Sequence, residues 1–205
     1  VREKRTDTKK EKRTPSLRVS FKELPRNLKL FIAVSAIFAM GHFGYAFLLL
    51  RAKNIGLTDQ KAILLYVLFY TVYVLCSIPS GILSDRIGRK PVLMTGYLLF
   101  AITSIGLIFS SDIYSVMFLF AIYGIFYAMI DGTQRAFVVD LAPSHLRATA
   151  LGTFHTAIGT VALPGGFVAG MLWDKINPEA TFMYGFILAV LSLSLFAFVK
   201  RNEKA

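Results

Sequence analysis

Cysteine, tryptophan and negative charge are all scarce in this chain, which has one Cys, one Trp and 12 Asp and Glu among 205 residues. The lone Cys76 excludes an internal disulfide and offers no metal constellation. No metal or other cofactor is therefore expected. No grouping of Ser, His and Asp or of paired carboxylates points to catalysis, so the chain is not read as an enzyme. A glycine-rich phosphate loop is also missing. The first thirty residues are polar, so no secretory signal peptide is visible. The chain begins with Val1 instead of Met, which reads as a piece of something longer.

Charge is thin overall. Only 17% of residues are charged, while 55% are hydrophobic and the mean hydropathy is +0.59. A soluble domain carries charge on about a quarter of its residues. The apolar residues fall in charge-free blocks near 30–50, 62–83, 91–110, 113–130, 148–173 and 181–199. Each approaches the ~20 residues that a helix needs to cross ~30 Å of hydrocarbon. Lipid satisfies no backbone polar group, so runs of this length are helices. The expected fold is all-α: a polytopic membrane protein with a six-helix transmembrane bundle over 28–200, its fourth span carried on to 139. Residues 1–27 read as a basic linker, with a short surface helix over 20–25, and 201–205 as a tail. Short connections make it an up-down bundle. Glycines at 41, 44, 152, 159, 165, 166 and 170 mark close helix approaches, and Pro79 and Pro164 mark bends.

The net charge of +11 is unevenly placed. Eleven of the 23 Lys and Arg residues precede position 30. Taking alternate loops, 18 cations fall on one side and four on the other (Arg51, Lys53, Lys61 and Lys175), with Arg135 inside a span. The positive-inside rule puts both termini in the cytoplasm, in a plasma (inner) membrane protein. The basic tail is read as lipid-facing and topogenic, and no nucleic-acid partner is expected.

Between the second and third blocks the chain reads Gly81-Ile82-Leu83-Ser84-Asp85-Arg86-Ile87-Gly88-Arg89-Lys90-Pro91. Gly88 is placed to supply positive φ in a tight turn, Gly81 to admit a close helix approach, and Asp85 to cap a neighbouring helix. Arg86, Arg89 and Lys90 hold the loop on the cytoplasmic side. This pattern resembles the signature loop of the major facilitator superfamily. The run from Asp131 to Pro143, followed by Arg147 to Gly152, is similar to that family's junction between its tenth and eleventh helices. The resemblance implies that this chain is the C-terminal six-helix half, helices seven to twelve. Its partner would be an N-terminal six-helix half, from the same gene or a second chain.

A charge inside a span costs ~3 kcal/mol or more at the centre, which makes it a functional candidate. Asp131 and Arg135 stand at i and i+4 and can pair. Tyr123 and Tyr127 continue their face backwards, with Gln134 nearby. A rise of 1.5 Å per residue puts Asp131 about 27 Å along a helix begun at Ile113, near the cytoplasmic mouth. That depth favours a gating cluster of Asp85, Arg89, Asp131 and Arg135. Direct proton or substrate binding by Asp131 and an inert ion pair are the alternatives. His42, beside Tyr45, and His155 have the near-neutral titration that suits proton coupling, or serve as packing residues. Tyr66, Tyr70, Tyr73 and Ser77 form a hydroxyl face that contacts an aromatic or amphiphilic substrate or bonds between helices. The resemblance implies secondary active transport of a small solute by alternating access, proton-coupled and outward. A membrane scaffold that keeps the fold without transporting is the competing expectation.

Overall fold

The computed structural model describes residues 23–199. The linker up to 22, including the first half of the expected surface helix, and the tail from 200 lie outside the described residues. Among the described residues all regular structure is helical: α1 (Arg26–Gly41), α2 (Tyr45–Asn54), α3 (Asp59–Ile87), α4 (Arg89–Phe109), α5 (Ile113–Leu141), α6 (Arg147–Lys175) and α7 (Pro178–Phe196). A 3-10 turn at Ser144–Leu146 leads into α6. Six stretches are long and apolar enough to cross a membrane, α1 and α2 together forming the first. The chain is a multi-pass membrane protein.

Local chemistry sets where helices begin. Thr58, Asp112 and Asn177 are N-caps whose side-chain oxygens accept from the amides of Lys61, of Tyr114 and Ser115, and of Ala180. The Ser115 amide and hydroxyl hold the Asp112 carboxyl below the usual carboxylate range. Pro178 follows Asn177 at the first helical position, where its missing N–H is no loss. Pro79 and Pro164 sit inside α3 and α6, which continue through them.

The first span departs from expectation. Instead of one helix over 30–50, the chain leaves helical geometry at His42 (φ −74°, ψ 95°) and resumes it at Tyr45. Gly41 and Gly44 flank the break, and glycine is a weak helix former. A break at membrane depth frees carbonyls that lipid cannot satisfy. Two tyrosines from other helices satisfy them here. Tyr184 donates to the Met40 carbonyl at 3.0 Å and Tyr123 donates to the Phe43 carbonyl at 2.9 Å.

The helices pair in a pattern with internal symmetry. The main contacts are α3 with α5, α4 with α5 and α7, and α1 with α6 and α7. Exchanging the first three spans for the last three maps these pairs onto themselves, as two three-helix repeats of opposite direction would. Buried rings fill the seams: Phe31 meets Phe137, Phe154 and Phe196 at centroid distances of 4.8, 5.9 and 5.4 Å. Phe38 stacks on Tyr97 at 3.9 Å. In lipid such seams gain from close packing more than from dehydration.

The tightest approach lies beside the break. A Cβ on Gly165 of α6 would overlap the Met40 backbone. Gly165→Ala is therefore expected to lower the thermal midpoint in detergent by several degrees, since overpacking costs roughly 1–3 kcal/mol. An unchanged midpoint would show that α1 and α6 separate freely.

Candidate functional site

Three cavities open along the face built by α1, α2, α3, α5 and α6, and Asp131 borders all of them. The first, about 180 Å³, is lined by residues including Ser35, His42, Tyr127, Gln134 and Ile158. The second, about 310 Å³, runs between α3 and α5 past Tyr73, Ser77, Gly81, Asp85 and Thr133. The third, about 140 Å³, is walled by Tyr45, Phe69, Tyr70, Tyr73 and Tyr127. Among the described residues, no Lys or Arg lines any of the three.

Asp131 is held from two sides. Its Oδ1 pairs with Arg135 Nη2 at 2.8 Å, and its Oδ2 accepts from the Tyr73 hydroxyl at 3.1 Å. Arg135 Nε also donates to the Asp131 carbonyl at 3.0 Å. The expected i,i+4 pairing forms, and both side chains are about half exposed in this chain (47% and 51%). The stripe that precedes them changes character along the helix. Tyr127 is half-buried, but Tyr123 is fully buried and serves the helix break.

The Tyr123 hydroxyl donates to the Phe43 carbonyl, and His42 Nε2 lies 3.2 Å from the same hydroxyl oxygen. His42 borders the first cavity together with Gln134, whose amide donates to Tyr97 at 3.1 Å. His155 does not join them. It is exposed on α6, and its ring neighbour is Phe154 at 5.4 Å.

The signature loop holds its own half together. Gly88 takes φ 97° and ψ 152°, a region essentially reserved for glycine, and links α3 to α4 in one residue. Arg89 donates to the Ala136 carbonyl and pairs with Asp140 Oδ1 at 2.8 Å. Lys90 Nζ donates to the carbonyls of Ala197 and Val199 at 2.9 and 2.7 Å, and it lies 5.9 Å from the Phe196 ring centroid. The loop cations thus tie the ends of α5 and α7. The four-charge cluster expected from spacing does not assemble, because Arg89 reaches Asp140 and not Asp131 or Arg135. Asp85 is exposed, makes no ion pair among the described residues and caps no helix; it borders the second cavity with Asp131. Gly81 borders the same cavity, where a Cβ would meet nothing, so it serves no close helix approach. Arg86 is exposed.

Two contacts escape the sequence reading. Tyr73, placed on a hydroxyl face, proves to be a ligand of Asp131. Asp140, read as the first residue of a loop, lies in the last turn of α5 and takes Arg89.

The family profile described as the Major Facilitator Superfamily matches residues 30–205. An uncharacterised MFS-type transporter of Methanocaldococcus jannaschii is 47% identical over 201 residues, covering 93% of this chain and 50% of that protein. The multi-drug resistance efflux pump PmrA of Streptococcus pneumoniae is 29% identical over 123 residues, 60% of this chain and 31% of the pump. Multidrug resistance protein MdtG of Salmonella paratyphi A is 28% identical over 162 residues, covering 76% and 40%. The chain spans half or less of the length of these curated relatives.

Proposed function

Because the chain belongs to the major facilitator superfamily of transporters, we propose that it forms the C-terminal half of a carrier for a small solute, working by alternating access. The observation that carries this reading is the convergence of three cavities on Asp131, a carboxylate within a candidate membrane span. Transport sites in such folds lie where two repeats face each other. The opposite wall comes from an N-terminal six-helix half. Only 17% and 11% of the apolar stretches of α3 and α6 are buried, so these helices are the ones left to cover. On α6, Leu163 and Phe167 are exposed, and Cβ atoms added at Gly152, Gly159, Gly166 and Gly170 would meet nothing. Small residues of this kind suit close packing by another helix.

Asp131 and His42 are the groups that would carry a coupling proton. Outward transport is the direction named for the PmrA efflux pump and is adopted here. A plasma-membrane carrier with cytoplasmic ends agrees with the charge bias. Two of the four opposing cations are neutralised, Arg51 by Glu179 and Lys53 by Asp59, both at under 3 Å.

The test measures flux with the wild-type full-length carrier in proteoliposomes, and uses Tyr127→Cys in a Cys76→Ala background only to report water access. Proton-gradient-driven flux of at least one solute is expected, together with modification of the introduced thiol by a water-soluble maleimide. No flux across a broad panel together with an unreactive thiol would mean a dry scaffold and overturn the proposal.

A further inference from the structure

The third cavity has a wall chemistry that the transport reading does not use. Five aromatic rings from three helices surround it: Tyr45 of α2, Phe69, Tyr70 and Tyr73 of α3, and Tyr127 of α5. Neighbouring rings touch as a continuous set. Centroid distances are 6.5 Å for Tyr45 and Phe69, 5.0 Å for Phe69 and Tyr70, 6.1 Å for Tyr70 and Tyr73, and 6.0 Å for Tyr73 and Tyr127. Phe69 closes the ring on Tyr127 at 5.5 Å. The sixth member is the Asp131 carboxylate, and Tyr73 bridges cage and carboxylate through its hydroxyl.

Ring faces carry partial negative charge and attract cations within about 6 Å. The Asp131 carboxylate adds negative charge, part of it offset by the Arg135 pair on Oδ1. The nearest cation, Arg135, is bound to Asp131 Oδ1 yet lines neither this cavity nor the two that adjoin it. The second cavity adds a further carboxylate, Asp85. An anion entering this space would face the Asp131 carboxylate, and the Arg135 guanidinium is already engaged by that carboxylate. We infer that the cage of Tyr45, Phe69, Tyr70, Tyr73 and Tyr127 with Asp131 takes the positively charged head of an organic cation.

Size supports a head-group site. At about 140 Å³ the cage is smaller than the ~300–1,000 Å³ of a pocket that encloses a drug-sized molecule. The head sits among the rings while the rest of the ligand extends into the adjoining cavities that share Asp131 with it. Tyr45 and Tyr70 are about two-fifths exposed, which gives the cation its way in.

This inference rests on the transport reading for its biological sense, but binding tests it separately. The probe is radiolabelled benzyltrimethylammonium, measured at equilibrium on the full-length carrier in nanodiscs, with neopentylbenzene as the neutral isostere. Saturable binding that the neutral isostere does not displace is expected. Tyr70→Leu and Tyr127→Leu should each weaken it by about tenfold, Tyr70→Phe by less than about threefold, since a phenyl face retains the attraction. Asp131→Asn should weaken it by about tenfold or more. Thermal midpoints within about 2 °C of wild type show that the leucine variants are folded, and Tyr70→Phe keeps the shape of the cage. Absence of saturable binding, equal competition by neopentylbenzene, or wild-type affinity in both leucine variants would overturn the cage. Cation binding with no flux of any solute would sink the transport reading and leave the cage standing. Flux without cation binding would do the reverse.

Discussion

Replacing Asp131 by asparagine is expected to cut gradient-driven flux in the full-length carrier on the order of a hundredfold, about 2.8 kcal/mol at 1.4 kcal/mol per decade. The amide keeps the size of the side chain and an oxygen for the Tyr73 hydroxyl. It removes the charge that Arg135 pairs with, the site of a coupling proton, and the negative end of all three cavities. An unpaired arginine at membrane depth then seeks another acceptor. Two assays on the same vesicles separate the roles. If Asp131 only couples, solute exchange without a gradient persists; if it also holds the solute, exchange falls too. Wild-type flux in Asp131→Asn would remove this residue from the mechanism.

The other large effect concerns stability. Arg51→Ala is expected to cost about 3 kcal/mol and lower the thermal midpoint by roughly 5–10 °C. Arg51 is buried at the end of α2, and its guanidinium joins three elements. Nη1 meets Glu179 Oε1 of α7 at 2.7 Å and Asn54 Oδ1 at 3.1 Å. Nη2 donates to the carbonyls of Ile108 and Ser110, at the end of α4, at 3.2 and 3.1 Å. Each contact also suits the helix dipoles, with a cation at the C-terminal ends of α2 and α4 and a carboxylate in the first turn of α7. Lysine is a point charge and cannot span this fork, so Arg51→Lys should lose most of the same stability. Lys53→Ala is the control. Its partner Asp59 is 76% exposed, and an ion pair of that kind contributes under about 1 kcal/mol.

Six membrane helices, the turn at Gly88 and the pairing of Asp131 with Arg135 are all legible in the sequence, because each depends on neighbours within a turn or two. The break at His42 is not. A hydropathy window averages across Gly41 and Gly44, and the hydroxyls that stabilise the break come from Tyr123 and Tyr184, 80 and 144 residues away from the carbonyls they bond. The gating cluster fails for a related reason. Spacing fixes which residues share a helix face, but the partner of Arg89 depends on how far α5 extends, and its last turn brings Asp140 within reach first. Residue type alone groups His155 with His42, and the packing of α6 places it apart. Loop position makes Arg51 one surface cation among four, yet its charge is buried because Glu179 and two helix ends receive it.

The Arg51 fork also sets an order of events in time. Glu179 lies 128 residues after Arg51, and ribosomes add about 5–20 residues per second. The guanidinium therefore waits roughly 6–26 s for its carboxylate, with neutral acceptors alone, on Asn54 and the end of α4, in that interval. The end of the first span stays loosely seated until the sixth has been made. A chain cut short before Glu179 would expose an unmatched charge at its membrane boundary, a ready mark for the quality-control proteases that clear incomplete membrane proteins.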